Sequence, residues 1–352
     1  MRLLDKYILK AFIGPFIFGI FAFTSIFIGT GTLFKIAQYI TQYGASLWSV
    51  SKAFILAMPK IVILTFPMSV LLASLMTFSR LSGTSEIVIM RAGGLSFGRL
   101  ATPVYVTALI ISLFAVGFNE YVVPATNHAY QRIIREEIMQ KATPQSQEHI
   151  VIKSMDGDEL NTLMYAKEYN STSKKLKQIT VQTFDKGVLQ QVENADEAEW
   201  NGQYWIMHKG IIYDLSGGQG VERTMNFSQQ VLPITKDPEE MTIRELRHQI
   251  AAYKAAYTNT NKLEMEMYKR ITIPMASFIF ALVGAPLGLQ KNRSSSSAGF
   301  AISIVVIFIY YGVMTLSGAL GESGSIPTLL AAWLPNILGI IAGAYLNYRV
   351  SK

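Results

Sequence analysis

The chain has 352 residues, of which 50% are hydrophobic and 16% are charged, and it contains no cysteine. A soluble protein usually carries about 25% charged residues, so this composition argues against a wholly soluble chain. It also excludes a disordered protein, a disulfide scaffold and a cysteine-ligated metal site. The redox compartment stays open, because the absence of cysteine is compatible with reducing and oxidising surroundings alike.

The net charge of +7 is distributed unevenly along the chain. Residues 120–270 contain 18 basic and 21 acidic residues, whereas the rest of the chain contains 13 basic and 3 acidic ones. An apolar part whose few charges are almost all positive indicates a membrane protein with basic cytoplasmic loops. Nucleic-acid binding would need basic residues clustered on a polar surface, but here they flank apolar runs.

A helix that spans a bilayer needs about 20 apolar residues. The sequence has three such runs on each side of a polar insert, which predicts an α-helical integral membrane protein with six transmembrane helices. The runs are Ala11–Phe34, Ile61–Ser79, Leu100–Asn119, Ile271–Gln290, Ser294–Gly321 and Ser323–Tyr348. The first is longer than the apolar core of a signal peptide, about 7–15 residues, so it predicts a retained span.

The basic residues beside the runs predict the orientation of the chain. One side carries ten of them, namely Arg2, Lys6, Lys10, Arg80, Arg91, Arg99, Lys291, Arg293, Arg349 and Lys352. The short loops of the other side carry Lys52 alone. Because lysine and arginine concentrate in cytoplasmic loops, both termini are predicted to be cytoplasmic and the insert to lie outside.

The insert has the pattern of an all-β module. Four β-prone stretches are separated by turn dipeptides, of which Asn201-Gly202 is the sharpest hairpin signal. The stretches are His149–Lys153, Leu163–Tyr165, Ile179–Phe184 and Tyr204–Met207, and the other turns are Asp156-Gly157, Lys186-Gly187 and Gly217-Gly218. Strands at this spacing predict a sandwich or a jellyroll-like domain. Such a module is compatible with an inert role, with binding of a polysaccharide or lipid, or with an edge offered to a partner.

A helical connector is predicted between the insert and the fourth run. Asp237-Pro238 opens it, Thr242 and Glu245 fit a capping box, and the apolar residues that follow repeat at helical spacing.

Motifs of catalysis and metal binding are missing from the sequence. There is no GxxxxGK[ST] motif and no HExxH motif, and the four histidines have no metal-ligand spacing. Gly94–Gly98 matches GxSxG, but it lies in a short loop between two spans and not between the strand and helix of a hydrolase. We therefore expect no catalytic residue, no metal site and no bound cofactor.

Several cations lie near the predicted outer ends of the spans. Lys35 closes the first apolar run, and a charge there is either a functional group or a side chain that reaches to the interface. Lys60, Arg132, Arg135 and Arg270 come to the same level, as does Lys269. Each alone is compatible with a solvated flank, but together they favour an anionic ligand.

The longest loop on the predicted cytoplasmic side is Arg80–Arg99, and Glu86 is its only carboxylate. A short helix is predicted from Glu86 to Arg91, with N-cap candidates before it and Gly93-Gly94 after it. Glu86 either caps this helix or pairs with an arginine of a cytosolic partner.

Taken together, these features resemble the LptF/LptG permeases of lipopolysaccharide export. The resemblance covers the whole chain. Its most specific residues are Leu4–Ile8, Pro59-Lys60, Phe66–Met68, Ser85–Gly94, Tyr268–Ile271 and Pro286-Leu287.

The resemblance implies a permease subunit that pairs with a second one and is driven by a dimer of a cytosolic ABC ATPase, which uses the ATP and Mg. The pair would extract lipopolysaccharide from the inner membrane and pass it, through periplasmic β-jellyroll domains, to a periplasmic bridge and a membrane-anchored jellyroll protein. Glu86 and Arg91 would lie in the helix that docks the ATPase. Lys35, Lys60, Arg132, Arg135 and Arg270 would face substrate phosphates, and Phe27, Phe308 and Tyr311 are candidates for acyl-chain or gate contact.

On this basis the chain divides into three parts. Residues 1–122 form three spans with a coupling helix near 84–92, and residues 123–268 form the periplasmic domain with a connector near 238–258. Residues 269–352 form three more spans. Pro59-Lys60 resembles the G type, although Thr41 and Gln42 stand where G-type members carry further lysines. A homodimer is an open alternative. So are a membrane-anchored scaffold that uses its β domain and an ABC permease for another lipid or a peptide.

Overall fold

The structure, a computed structural model, describes residues 3–138, 147–156, 159–170, 175–185, 188–200, 205–215, 223–231, 238–255, 259–289 and 296–352. The chain forms two compact units. The first comprises Met1–Met139, Pro238–Arg247 and Thr260–Lys352, and the second comprises Gln140–Asp237 and His248–Asn259.

The first unit is a bundle of long helices. Its helices are α1 (Leu3–Phe27), α2 (Leu33–Tyr43), α3 (Leu47–Gly83), α4 (Glu86–Ala92), α5 (Phe97–Ile133), the start of α6 (Ile243–Ala255), α7 (Asn261–Leu287), α8 (Ser296–Glu322) and α9 (Thr328–Ser351). A π-helical turn joins α1 to α2, so the two form one span. Within the described residues, six helices are long and apolar enough to cross a membrane, which confirms the predicted number.

The helices extend beyond the apolar runs that predicted them. The third span, α5, continues past Asn119 and past the predicted domain boundary at 122 as far as Ile133. Hydropathy marks only the part of a helix that matches the hydrocarbon layer, whereas backbone hydrogen bonding continues into polar surroundings. Residues 290–295, which hold Lys291 and Arg293, lie outside the described residues.

The bundle has two ends, which we name after one residue of each. The Glu86 end holds α4 and the starts of α1 and α5, which are linked by contacts of Asp5 and Tyr7. The Glu239 end holds the 3-10 turn Pro238–Glu240, the starts of α3 and α7 and the end of α5.

The spans α3 and α7 are buried along most of their lengths, whereas α8 exposes most of its apolar surface. Close packing between helices uses small residues, as is usual where lipid removes the hydrophobic driving force. Two asparagines of α9 bond to backbone carbonyls of α7: Asn347 Nδ2 donates to the Leu282 carbonyl at 2.8 Å and Asn336 Nδ2 donates to the Thr272 carbonyl at 2.9 Å. These interhelical bonds fix α9 against α7.

Gly284 lies at a close approach of α7 to α3. A Cβ at this position would lie 2.9 Å from the Ser74 Cβ and 3.1 Å from the Leu71 carbonyl oxygen. We expect Gly284→Val to lower the stability of the detergent-solubilised protein by about 1–3 kcal/mol, because the facing backbone cannot move aside. Thermal unfolding measures this effect. Gly312→Val is the matched control, since no atom lies within 4 Å of that Cβ; equal losses in both variants would contradict the packing argument.

In the part of the chain that the structure describes, the second unit contains one antiparallel sheet of six strands. They are β1 (Gln147–Asp156), β2 (Glu159–Asn170), β3 (Lys175–Asp185), β4 (Val188–Trp200), β5 (Trp205–Asp214) and β6 (Arg223–Val231). Each strand pairs with the next along the chain, in the order β1-β2-β3-β4-β5-β6. The inserted all-β domain is therefore confirmed. The described strands form a meander and not the Greek-key order of a closed jellyroll, because short connections pair each strand with its successor.

All four predicted β stretches lie in strands, apart from Tyr204, which lies outside the described residues. The pairing of Trp200 with Trp205 confirms the hairpin expected around Asn201-Gly202, although the turn residues themselves are not described. The sequence patterns did not indicate β4, which is rich in acidic residues. It forms because it pairs with a neighbour on both sides, and strand propensity is weaker than such context.

The spacing of the buried residues changes part-way along the strands. In β3, Leu176, Ile179 and Val181 are all buried, although a regular strand buries every second residue. Gln178 and Lys209 have positive φ angles of 48° and 52°. These residues lie where the alternation changes, and in β3 the buried side chains before and after the change belong to one apolar cluster.

The predicted connector is confirmed as α6, together with its capping box. The Thr242 backbone N–H donates to Glu245 Oε2 at 2.8 Å, and the Glu245 backbone N–H donates to the Thr242 hydroxyl at 3.2 Å. Asp237, which was expected to open the helix, lies outside the described residues.

Candidate functional site

At the Glu239 end, Arg270 of α7 holds the turn Pro238–Glu240. Its side chain is only 4% exposed. Nη2 donates to the carbonyl oxygens of Pro238 and Glu239, both at 3.1 Å, and Nε lies 3.8 Å from Glu266 Oε1. Because the guanidinium is buried and already bonded to protein carbonyls, this environment favours a positioning role over direct contact with a substrate.

Two further charges hold the same segment. Lys60 of α3 forms an ion pair with Glu239, and both side chains are partly exposed. Both carboxylate oxygens of Glu120, on α5, accept the Ile243 backbone N–H at 3.0 Å, which satisfies a donor of the first turn of α6. The spans α3, α5 and α7 therefore each contribute one charged side chain to this segment.

Lys35 lies on α2 with an exposed side chain. Within the described part of the chain it forms no ion pair, unlike Lys60. Arg132 is also exposed, near the end of α5. Arg135 lies in the π-helical turn Ile134–Ile138, and its side chain is outside what the structure describes.

Lys52 is not one of the predicted site residues, but it also lies at the Glu239 end. Lys52 Nζ lies 2.6 Å from Glu137 Oε1, and the Ser49 hydroxyl donates to Glu137 Oε2 at 2.6 Å. The bonds from Lys52 and then Ser49 lower the pKa of Glu137 below its ordinary value. Lys52 thus joins α3 to the π-helical turn Ile134–Ile138 that follows α5.

Two of the three gate candidates meet in one apolar cluster. Phe27 of the first span and Tyr311 of α8 both pack against the cluster of Phe23, Met68 and Leu72. The Tyr311 hydroxyl donates to the Leu64 carbonyl at 3.3 Å. The third candidate, Phe308, is 80% exposed on the outer face of α8. The structure therefore brings the first and fifth spans of a single chain together beside α3.

At the Glu86 end, α4 runs from Glu86 to Ala92 and stops at Gly93, as predicted. The Tyr7 hydroxyl donates to Glu86 Oε2 at 2.6 Å, and the Thr84 hydroxyl donates to Glu86 Oε1 at 2.8 Å. These two bonds hold the pKa of Glu86 below its ordinary value, and the bond from Tyr7 has the larger effect. Their stabilisation is therefore present above the ordinary glutamate pKa and is lost as the pH falls through the lowered one.

Ser85, one of the predicted N-cap residues, occupies the N-cap position without a capping hydrogen bond from its side chain. Its φ of 61° is left-handed, which is uncommon for a residue with a side chain. The Thr84 hydroxyl reaches the carboxylate of Glu86 instead.

The outer face of α4 is apolar although α4 is not part of a span. Val88 is 61% exposed and Ile89 is 70% exposed, whereas Ile87 is buried against the bundle. Arg91 is exposed at the end of the helix. Apolar side chains exposed between a carboxylate and a guanidinium have the composition of a protein-docking surface.

The comparisons with known proteins identify the family. The model of the lipopolysaccharide export system permeases LptF/LptG matches residues 6–349. The chain belongs to the LptF/LptG permease family. Membership supports a permease role in lipopolysaccharide transport, and the six apolar helices fit a multi-pass protein of the inner membrane.

Individual relatives cover most of this permease. It is 24% identical to the lipopolysaccharide export system permease protein LptG of Haemophilus influenzae, over 96% of each chain. It is 24% identical to LptG of Escherichia coli K12, over 99% of this chain and 98% of the relative. The identity to LptF of Escherichia coli K12 is 22%, over 83% of this chain and 80% of the relative.

Sequence reasoning missed the partners of the permease's candidate residues. Glu239 pairs with Lys60 across a separation of 179 residues, and Glu120 bonds the first turn of α6 across 123 residues. Tyr7 bonds Glu86 across 79 residues. No local pattern identifies such pairs. The only available signal for Tyr7 is its place in Leu4–Ile8, one of the stretches that carried the family resemblance.

Proposed function

We propose that this chain is a transmembrane subunit of an ATP-driven machine that extracts lipopolysaccharide from the inner membrane and passes it to a periplasmic bridge. The match to the LptF/LptG family over residues 6–349 carries the proposal. Six spans and an inserted β-sheet domain are consistent with it. The chain would be a transporter subunit and not an enzyme, with ATP and Mg bound by a separate cytosolic ATPase dimer.

The docking site proposed for the ATPase is α4. Val88 and Ile89 offer an apolar contact area, and Glu86 and Arg91 supply charges at the two ends of the helix. The carboxylate of Glu86 accepts bonds from Tyr7 and Thr84, but two carboxylate oxygens have about four acceptor positions, so a partner arginine can still bind. The concentration of basic residues beside α4 supports a cytoplasmic location for the Glu86 end.

At the opposite, periplasmic end, we propose Lys35 as the principal contact with substrate phosphates. Its exposure supports this role. Arg132 and Arg135 would add positive charge nearby. Lys60 would reach substrate only by leaving Glu239, and Arg270 would act by holding the turn Pro238–Glu240.

The partners follow from the same family. The permease would pair with a second LptF- or LptG-type subunit, and its β domain would pass substrate to a periplasmic bridge and a membrane-anchored jellyroll protein. The LptG relatives align over nearly the whole chain and the LptF relative over about four fifths, which favours the G position in an F/G pair.

Co-purification in mild detergent tests the proposed function. We expect a stoichiometric ABC ATPase and a second permease to accompany the full chain. ATP-dependent release of lipopolysaccharide from proteoliposomes should follow, with a defined phospholipid as the comparison substrate. A complex without an ATPase would favour a membrane-anchored scaffold, and release of the phospholipid alone would favour a permease for another lipid.

Charge reversal at Lys35 tests the substrate contact. We expect Lys35→Glu to reduce lipopolysaccharide extraction about tenfold or more, because a charge-assisted bond to a phosphate is replaced by repulsion. Photo-crosslinking from the neighbouring position Gln38 should decrease in parallel. Lys35→Arg, which retains the charge, is the control and should extract normally. Unchanged extraction by Lys35→Glu would instead show that Lys35 only reaches to the membrane interface.

A further inference from the structure

The start of the first span forms polar contacts with α4 and with the start of α5. The Tyr7 hydroxyl donates to Glu86 Oε2 at 2.6 Å, although the two residues are 79 positions apart. Two residues earlier in the chain, Asp5 Oδ1 lies 2.8 Å from Arg99 Nη1, in the first turn of α5. The start of α1 is therefore joined by polar contacts to α4 and to the first turn of α5, the helix that follows α4.

Apolar packing makes these elements one unit. Ile8 and Phe12 of α1 are fully buried in a single cluster with Ile87, Phe78 and Phe97. Ile87 is the only buried residue of α4. A displacement of α4 can therefore reach the bundle through two neighbouring routes, the Ile87 side chain and the Glu86–Tyr7 hydrogen bond.

The same span is loosely held farther along. Its π-helical turn, Ile28–Thr32, includes Gly29 and Gly31, and no atom lies within 4 Å of a Cβ built at either glycine. Beyond the turn, α2 carries Lys35 and is packed separately, with the Tyr39 hydroxyl 3.2 Å from the Tyr130 hydroxyl of α5. A π-helical turn with two glycines in open space is a place where a helix can change its direction or twist.

We propose that Tyr7 is a positioning residue that, with Asp5, transmits movement of α4 to the first span. The inference rests on the proposed function, in which α4 docks an ATPase. When the docked ATPase shifts α4 and the adjoining start of α5, the Glu86–Tyr7 bond and the Asp5–Arg99 ion pair move the start of α1 with them. The turn Ile28–Thr32 absorbs the difference between this part of the span and α2. The carboxylate of Glu86 thereby contacts the partner and the first span at once.

The test is the variant Tyr7→Phe in the assembled permease–ATPase complex. The variant keeps the ring and loses only the hydroxyl that bonds Glu86. We expect the ATPase to co-purify and to hydrolyse ATP at its normal basal rate, while lipopolysaccharide extracted per ATP falls about fivefold, the effect of losing one bond to a charged group at an exposed site. Tyr345→Phe, at an exposed tyrosine of α9, is the matched control and should change nothing.

A second measurement follows the movement itself. The chain contains no cysteine, so spin labels can be placed at Phe18→Cys on α1 and Leu338→Cys on α9, two exposed positions of which the second lies on a helix outside the Tyr7 and Asp5 contacts. The distance between the labels should change when the ATPase binds a non-hydrolysable nucleotide, and Tyr7→Phe should reduce that change. Asp5→Asn should reduce it as well, which provides a second variant if Tyr7→Phe assembles poorly.

Two outcomes overturn the inference, and they are distinguishable. If the wild-type chain co-purifies with no ATPase, the proposed function fails and the inference fails with it. If the wild-type complex extracts lipopolysaccharide normally and both Tyr7→Phe and Asp5→Asn retain full extraction per ATP and the full distance change, only the inference fails.

Discussion

Glu86→Ala is expected to abolish ATP-driven extraction of lipopolysaccharide, either by preventing assembly with the ATPase or by uncoupling hydrolysis from transport. Glu86 is the only carboxylate in residues 80–99, so no neighbour can replace its charge. Its loss also removes the acceptor for Tyr7 and Thr84. The measurement is the ATPase content of the purified complex, followed by extraction into proteoliposomes at saturating ATP. We expect a loss of at least about tenfold, since bonds to charged groups are the strongest at such a contact.

Glu86→Gln separates the two roles of this side chain. The amide oxygen can still accept a hydrogen bond, but the negative charge that would attract a partner arginine is absent. If the charge contacts the ATPase, Glu86→Gln should fail nearly as completely as Glu86→Ala. Normal extraction by Glu86→Ala in a complex that retains its ATPase would contradict the docking assignment of α4.

Arg270→Ala is expected to cause the largest loss of stability among single substitutions at the Glu239 end, about 3–5 kcal/mol. The guanidinium is 4% exposed and holds two backbone carbonyls of the turn Pro238–Glu240. Its removal takes a donor from both carbonyls, of which that of Pro238 keeps the Met241 backbone N–H at 3.3 Å. It also leaves Glu266 without the guanidinium that lies 3.8 Å away. Thermal unfolding in detergent, followed by tryptophan fluorescence, measures the change.

Two further variants test whether the loss of stability in Arg270→Ala arises from the burial of the guanidinium. Arg349→Ala, at an exposed arginine of α9, should leave the unfolding temperature nearly unchanged. Adding Glu266→Gln to Arg270→Ala should recover part of the loss, because the stranded carboxylate is then neutral. If Arg270→Ala unfolds like wild type but no longer extracts lipopolysaccharide, Arg270 contacts substrate and the positioning role is wrong.

Sequence reasoning succeeded where the signal is local and repeated. Uncharged runs of sufficient length predicted six spans because the cost of burying charge in lipid applies to every residue of a span. The α4 helix and the capping box of α6 were also predictable, since a helix terminus is decided within a few residues. The acidic strand β4 was not, because its stability comes from pairing on both sides and not from its own composition.

The candidate site shows the limit of composition. Lys35 and Lys60 have the same chemistry and similar places beside an apolar run, but in the structure one is exposed and the other is paired with Glu239. Arg270 has the sequence context of a solvated flank and is buried against backbone carbonyls. The predicted cations whose side chains the structure describes thus divide into those that are exposed and those that hold the segment after the β domain.

The sequence by itself determined the membrane class of this protein, the number of its spans, the inserted β domain and the family resemblance, because each depends on patterns that adjacent residues create. Only the tertiary structure decided which charges are available and which are already paired. Glu86 with Tyr7, Lys60 with Glu239 and Arg270 with the turn Pro238–Glu240 are contacts between distant parts of the chain. Such contacts exist only after the helices have packed, and packing depends on the shapes of whole surfaces that no short stretch of sequence contains.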